Sequence, residues 1–95
     1  MRGYELVAII SPELDEEGVS EIMDKVGQSI SKRGGVVDGI DKWGKRKLAY
    51  PIKKFREADY ILTRFKLKPQ LVKELEAEIS ALGDILRYLV VKVED

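Results

Sequence analysis

The chain has 95 residues, 44% hydrophobic and 36% charged, with 17 bases against 17 acids; this allows one core, a single expected domain over 1–95, and too much charge for a membrane protein. It contains no Cys, no His and no Asn, which excludes disulfides, zinc fingers, iron–sulfur clusters, imidazole bases and thiol nucleophiles, and with them most small-enzyme chemistry. The longest uncharged run, Leu6 to Pro12, is far short of the roughly 20 residues of a bilayer span, and no secretory signal opens the chain. A cytoplasmic protein without membrane, metal, cofactor or small-molecule substrate is expected.

Tyr4 to Ile10 is bulky and β-branched and stops at Ser11-Pro12, which makes it the first strand. From Asp15 the period changes. Val19, Ile22, Met23, Val26 and Ile30 form one apolar helical stripe. Asp15 caps it, Glu16 and Glu17 suit its positive end, Lys32 and Arg33 suit its negative end, and Gly34-Gly35 stop it. Val36 to Trp43 reads as strand two, broken at Gly44 and resumed from Lys47 to Ile52, with Pro51 more tolerable at a sheet edge. Ala58 to Leu67 alternates cleanly, with Ile61, Thr63, Phe65 and Leu67 on one side. Pro69 opens a second helix with Leu71, Val72, Leu75, Ile79 and Leu82 inward and Gly83 closing it, and Ile85 to Val93 is the last strand. The order β-α-β-β-α-β predicts an α+β, ferredoxin-like split β-α-β fold: a four-stranded antiparallel sheet with both helices on one face. Leu6, Val26, Ile30, Phe65, Leu75 and Ile79 are its expected core.

Net charge is zero, but its distribution is uneven. Lys42, Lys45, Arg46, Lys47, Lys53, Lys54 and Arg56 lie in a stretch without a single acid, so this segment carries +7 and the remainder −7. Trp43, Tyr50 and Phe55 are interleaved with the bases. Cations that release counterions, beside flat rings that stack on bases, suit a nucleic-acid backbone. The alternative is a lysine-decorated edge that blocks aggregation, although one or two lysines suffice for that. On the helix-free side of the sheet, Val7, Ile9, Tyr60 and Leu62 form a partly apolar face, read either as a protein-partner surface or as scattered exposed apolars. Carboxylates at Glu16, Glu17 and Glu21 read as helix-dipole partners, Glu74 and Glu78 as solvated, and no catalytic constellation is present.

Trp43 to Lys54, WGKRKLAYPIKK, resembles the signature of the bacterial small-subunit ribosomal protein six family, matching at Trp43, Gly44, Arg46, Leu48, Ala49, Tyr50, Pro51, Ile52 and Lys54. Met1-Arg2-x-Tyr4-Glu5, Pro12, Gly34, Tyr60 and Pro69 extend the likeness along the whole chain. The resemblance implies a non-enzymatic structural protein of the ribosome that binds the central domain, or platform, of small-subunit ribosomal RNA together with ribosomal protein eighteen of that subunit. It implies RNA-facing roles for Arg2, Arg46 and Lys54; Lys45, Lys47, Lys53 and Arg56 join them on charge alone. Two departures stand out: many members carry a C-terminal tail where this chain stops at Glu94-Asp95, and strand three runs one residue longer before Pro69.

Other proteins share such an architecture. An RNA-recognition motif needs a glycine- and aromatic-rich third strand, which Asp59 to Lys66 lacks. An acylphosphatase-like enzyme would use an Asn, and there is none. A ligand-sensing regulatory domain leaves the +7 stretch unexplained.

Overall fold

Alternation in the first strand decides which side of the sheet is buried. In the computed structural model, which describes residues 1–93, β1 (Arg2–Ile10) buries Tyr4, Leu6, Ala8 and Ile10 and leaves Glu5, Val7 and Ile9 only partly covered. The remaining elements follow as α1 (Glu16–Ser31), β2 (Val36–Ile52), β3 (Phe55–Leu67), a 3-10 turn (Pro69–Leu71), α2 (Val72–Ser80) and β4 (Ile85–Lys92). The sheet order is β2-β3-β1-β4, antiparallel at each pairing, which is the expected ferredoxin-like arrangement with β2 and β4 as edges. All six expected core residues lie in one buried cluster with both helices. Among the described residues no helix is long and apolar enough to cross a membrane.

The helix ends show how local chemistry sets the boundaries. The Asp15 carboxylate accepts a hydrogen bond from the Gly18 amide at 2.8 Å, satisfying one orphan donor of α1. At the other end the amides of Gly34 and Gly35 donate to Ser31 and Ile30 carbonyls, with Gly34 at φ +80°. This is a Schellman closure. Gly35 serves differently: a Cβ there would stand 2.7 Å from the Lys66 carbonyl oxygen and 2.7 Å from Ile30 Cγ2, so only glycine lets the chain pass this close to β3.

One expectation is extended and three are corrected. Arg33 does serve the negative end of α1, donating to the Ser29 carbonyl at 2.9 Å, and Lys32 and Arg33 also reach across to α2 and pair with Glu78, at 2.6 and 3.2 Å. Glu78 is therefore not merely solvated: hydrogen bonds from Lys32, Ser29 and Arg33 lower its pKa from 4.5 to about 2. Helix α2 stops at Ser80 rather than at Gly83, and Gly83 has no left-handed backbone because Ala81 and Leu82 already close the last turn through the Glu78 and Ile79 carbonyls. Finally, Gly44 does not break strand two. It sits at φ +78° in a β-bulge, where glycine lets the strand turn and continue to Ile52.

Register fixes the side chains of β3. Arg2 pairs with Leu67, Leu6 with Thr63 and Ala8 with Ile61, so Phe65 and Leu67 face the helices while Tyr60, Leu62, Arg64 and Lys66 face the open side. Arg64 is held there by Asp41 at 2.7 Å and Glu5 at 3.6 Å, tying three strands together. Positions 94 and 95, where the likeness to tailed family members was expected to end, lie outside the described residues.

Candidate nucleic-acid interface

From the Lys42–Ile61 pair outward β2 and β3 form a hairpin, which runs on as two strands beyond the last pair with β1, Ile10–Asp59. At about 3.3 Å per residue a straight β2 of 17 residues would span about 56 Å, yet the longest dimension of the molecule is 36 Å. The strand must bend. Its register shifts fall after Val37 in the body of the sheet and after Lys42 and Lys47 in the hairpin. The last is the largest: Lys47 pairs with Glu57 and Ile52 with Phe55, so Leu48, Ala49, Tyr50 and Pro51 stand against Arg56 alone. Pro51, with no amide hydrogen to place in a ladder, is tolerated in such an irregular edge.

Bending carries the hairpin back toward the far edge of the sheet. Tyr50 Oη accepts a hydrogen bond from Arg87 Nη1 of β4 at 3.0 Å, and the Arg87 guanidinium carbon lies 5.6 Å from the ring centroid. Lys53 shares a shallow depression with Ser80 and the start of β4. The tip itself is Lys53-Lys54, with φ of +47° and +74°, the two left-handed residues of a type I′ turn that usually takes Asn-Gly. Holding two lysines there costs about 1 to 2 kcal/mol per residue, which the fold sustains while leaving both lysines exposed.

All seven bases of the hairpin are exposed, and none forms an ion pair among the described residues. They divide by direction. The register puts Lys42, Lys45 and Lys47 on the helix side, and Lys42 and Lys45 share a groove with Asp15, Glu16 and Asp59. Arg46 lies on the open side, 6.0 Å above the Trp43 ring, which in turn stacks on Tyr60 at 6.4 Å. Pairing also brings Glu57 and Asp59 opposite Lys47 and Lys45, so the acid-free stretch acquires two acids from its partner strand. Arg2 is not brought to this cluster; it begins β1 at the opposite end of the sheet.

On the open face Val7 and Ile9 are partly covered, as is Tyr60, which packs against Trp43. Leu62 points the expected way but is only 7% exposed, so its neighbours leave little of it for a partner to touch. The accessible apolar surface comes instead from Leu89, 59% exposed, and Val91, which pair with Val7 and Glu5 from β4. Both residues, and Arg87, escaped the reading of the sequence. The alternation of β4 held the signal, since its register with β1 sends Arg87, Leu89 and Val91 to the same side as Ile9, Val7 and Glu5.

The family model described as ribosomal protein S6 matches residues 3–92. This chain belongs to the ribosomal protein S6 family. It is 39% identical over 95 residues to small ribosomal subunit protein bS6 of Moorella thermoacetica, covering all of this chain and 97% of that protein. It is 45% identical over 94 residues to the bS6 of Clostridium novyi, covering 99% of each. The crystal structure of 30S ribosomal protein S6 from Thermotoga maritima superposes with a TM-score of 0.91 at 34% identity, over 97% of this chain and 87% of that one. Ribosomal protein S6 is a structural, non-enzymatic constituent of the ribosome, and the absence of any catalytic grouping in the sequence reading agrees with that role. By contrast, the C-terminal domain of MgtC from Mycobacterium tuberculosis matches at a TM-score of 0.65 and 14% identity, a likeness of fold alone.

Proposed function

We propose that this S6-family chain binds the central domain, or platform, of small-subunit ribosomal RNA jointly with ribosomal protein eighteen of that subunit, and acts as a ribosome-bound protein of the cytoplasm. The hairpin, through Lys45, Arg46, Lys47, Lys53, Lys54 and Arg56, is the RNA-facing element. The observation that carries this reading is the set of seven exposed cations on one hairpin, none of them in an ion pair among the described residues. Each cation laid on a phosphate releases condensed counterions, so affinity arises without base reading, and the contacts position the protein rather than select a sequence. Arg2, from the far end of β1, would add a separate contact.

The need for a partner follows from the charge. One basic element on a domain whose remainder carries −7 makes few phosphate contacts, so the chain alone binds weakly. The open face offers Val7, Ile9, Tyr60, Leu89 and Val91, with Leu62 beneath them, and a basic second protein is drawn by the acidic remainder. Titrating platform RNA with this chain, with ribosomal protein eighteen, and with both tests the proposal. The expected result is weak, salt-sensitive binding alone and at least about tenfold tighter binding together, near 1.4 kcal/mol of coupling. Equal affinity with and without the second protein would remove the cooperative part.

A further inference from the structure

The four-residue bulge Leu48–Pro51 stands against Arg56 alone, and charge gives it no task. It forms one wall of a hollow of about 460 Å³ whose other walls are Lys47, Arg56 and Glu57. Tyr50 is 58% exposed although Arg87 lies against its ring, so much of the ring is open to solvent. Four residues facing one cannot all stay in register with the ladder. A lone phosphate contact needs none of this: it would be served by the flat, lysine-bearing part of the hairpin.

We infer that this hollow receives a single unpaired nucleotide of otherwise paired RNA, its base stacked on Tyr50 and its flanking phosphates held by Lys47 and Arg56. The inference rests on the RNA-binding reading above and gives it a specific subsite. The hollow lies within the size range of small-ligand sites. Aromatic stacking accepts any base, while the cations on either side meet the charge of the backbone that enters and leaves. Glu57 offers only acceptors, which suits a base with an exocyclic amino group. Arg87 has two functions in this arrangement. Its guanidinium lies over one face of the ring, a contact that phenylalanine keeps, and its hydrogen bond to the hydroxyl adds a link from the hairpin to β4 that stacking does not require.

Three short RNA hairpins test the subsite: one with a single unpaired adenosine in its stem, one with an abasic residue at that position, and one fully paired. Affinities are measured by filter binding with the full chain and with Tyr50→Ala and Tyr50→Phe. The expected pattern is about tenfold tighter binding of the unpaired adenosine than of the other two, consistent with stacking of about 1 to 3 kcal/mol per base. Tyr50→Ala removes that preference, and Tyr50→Phe, which keeps the ring but loses the hydroxyl bonded to Arg87, retains it. Equal binding of all three RNAs overturns the subsite while leaving hairpin binding intact. Loss of the preference in Tyr50→Phe also overturns it, because the hydroxyl clasp and not stacking would then be responsible. Circular dichroism of both variants excludes unfolding as the cause. Failure of every RNA to bind even when ribosomal protein eighteen is added would instead sink the RNA-binding reading itself.

Discussion

Strands β2 and β3 pass through two regions of opposite character. Where they lie under the helices, β3 is anchored by Phe65 and Leu67, buried to within a few percent, and its register is continuous from Leu67 through Asp59 on β1. Toward the hairpin tip the register of β2 shifts twice more, and two lysines occupy left-handed backbone. The first region is organised by burial, which tolerates no misfit. The second is organised by turns and bulges that place charge, and strain concentrates there as it does at sites that bind. The difference predicts that stability and RNA binding are separable within one pair of strands.

The strongest test is at the buried end. Ile79→Ala removes three buried carbons between α2 and the sheet and should cost on the order of 2 to 5 kcal/mol in urea denaturation, with the RNA affinity of the folded fraction unchanged. A cost below about 0.5 kcal/mol would mean that a different stripe of α2 holds the core. Gly35→Ala comes next. The Lys66 carbonyl is backbone and cannot give way as a side chain could, so overpacking should destabilise by roughly 1 to 3 kcal/mol.

At the hairpin the expectation reverses. Converting Lys45, Arg46 and Lys47 together to Ala should change stability by no more than about 0.5 kcal/mol per site, while the salt dependence of RNA binding falls by roughly one unit of log–log slope for each phosphate that the variant no longer neutralises. An unchanged slope would move the RNA interface off the hairpin and dissolve the contrast. The smallest effect belongs to Glu78. Its folded pKa, about 2, lies below the ordinary 4.5, so its contribution is complete above about pH 4.5 and disappears as pH falls through 2. The melting-temperature gap between the protein and Glu78→Gln should therefore be widest at neutral pH and close in acid. Added salt should narrow it, since Glu78 and Lys32 are both well exposed.

Periodicity made the body of the molecule legible. Apolar residues at helical or alternating spacing, with Asp15, Gly34 and Pro69 as punctuation, were enough for the order of elements and for all six core residues. The hairpin was legible in charge and not in shape. A glycine at position 44 reads equally as a strand end or a bulge, and only pairing with β3 decides between them. The displacement of Leu48–Pro51 against Arg56 depends on both strands at once, so no pattern within one strand reveals it. Arg87 and Tyr50 are 37 residues apart and meet because the hairpin bends. Leu62 was assigned the right face and the wrong exposure, since alternation gives direction and says nothing of what lies alongside.

The chain's one tryptophan is part of the hairpin and not of the core: Trp43 is 43% exposed, stacked on Tyr60, with Arg46 above it. Its intrinsic emission is accordingly a reporter of the hairpin's surroundings and only indirectly of the body. Detachment of the hairpin from the sheet would alter the fluorescence while the far-ultraviolet dichroism of α1 and α2 stayed constant. A denaturation curve followed by emission alone would then describe the hairpin end of the molecule, and disagreement between the two optical signals would measure how loosely that end is coupled to the rest.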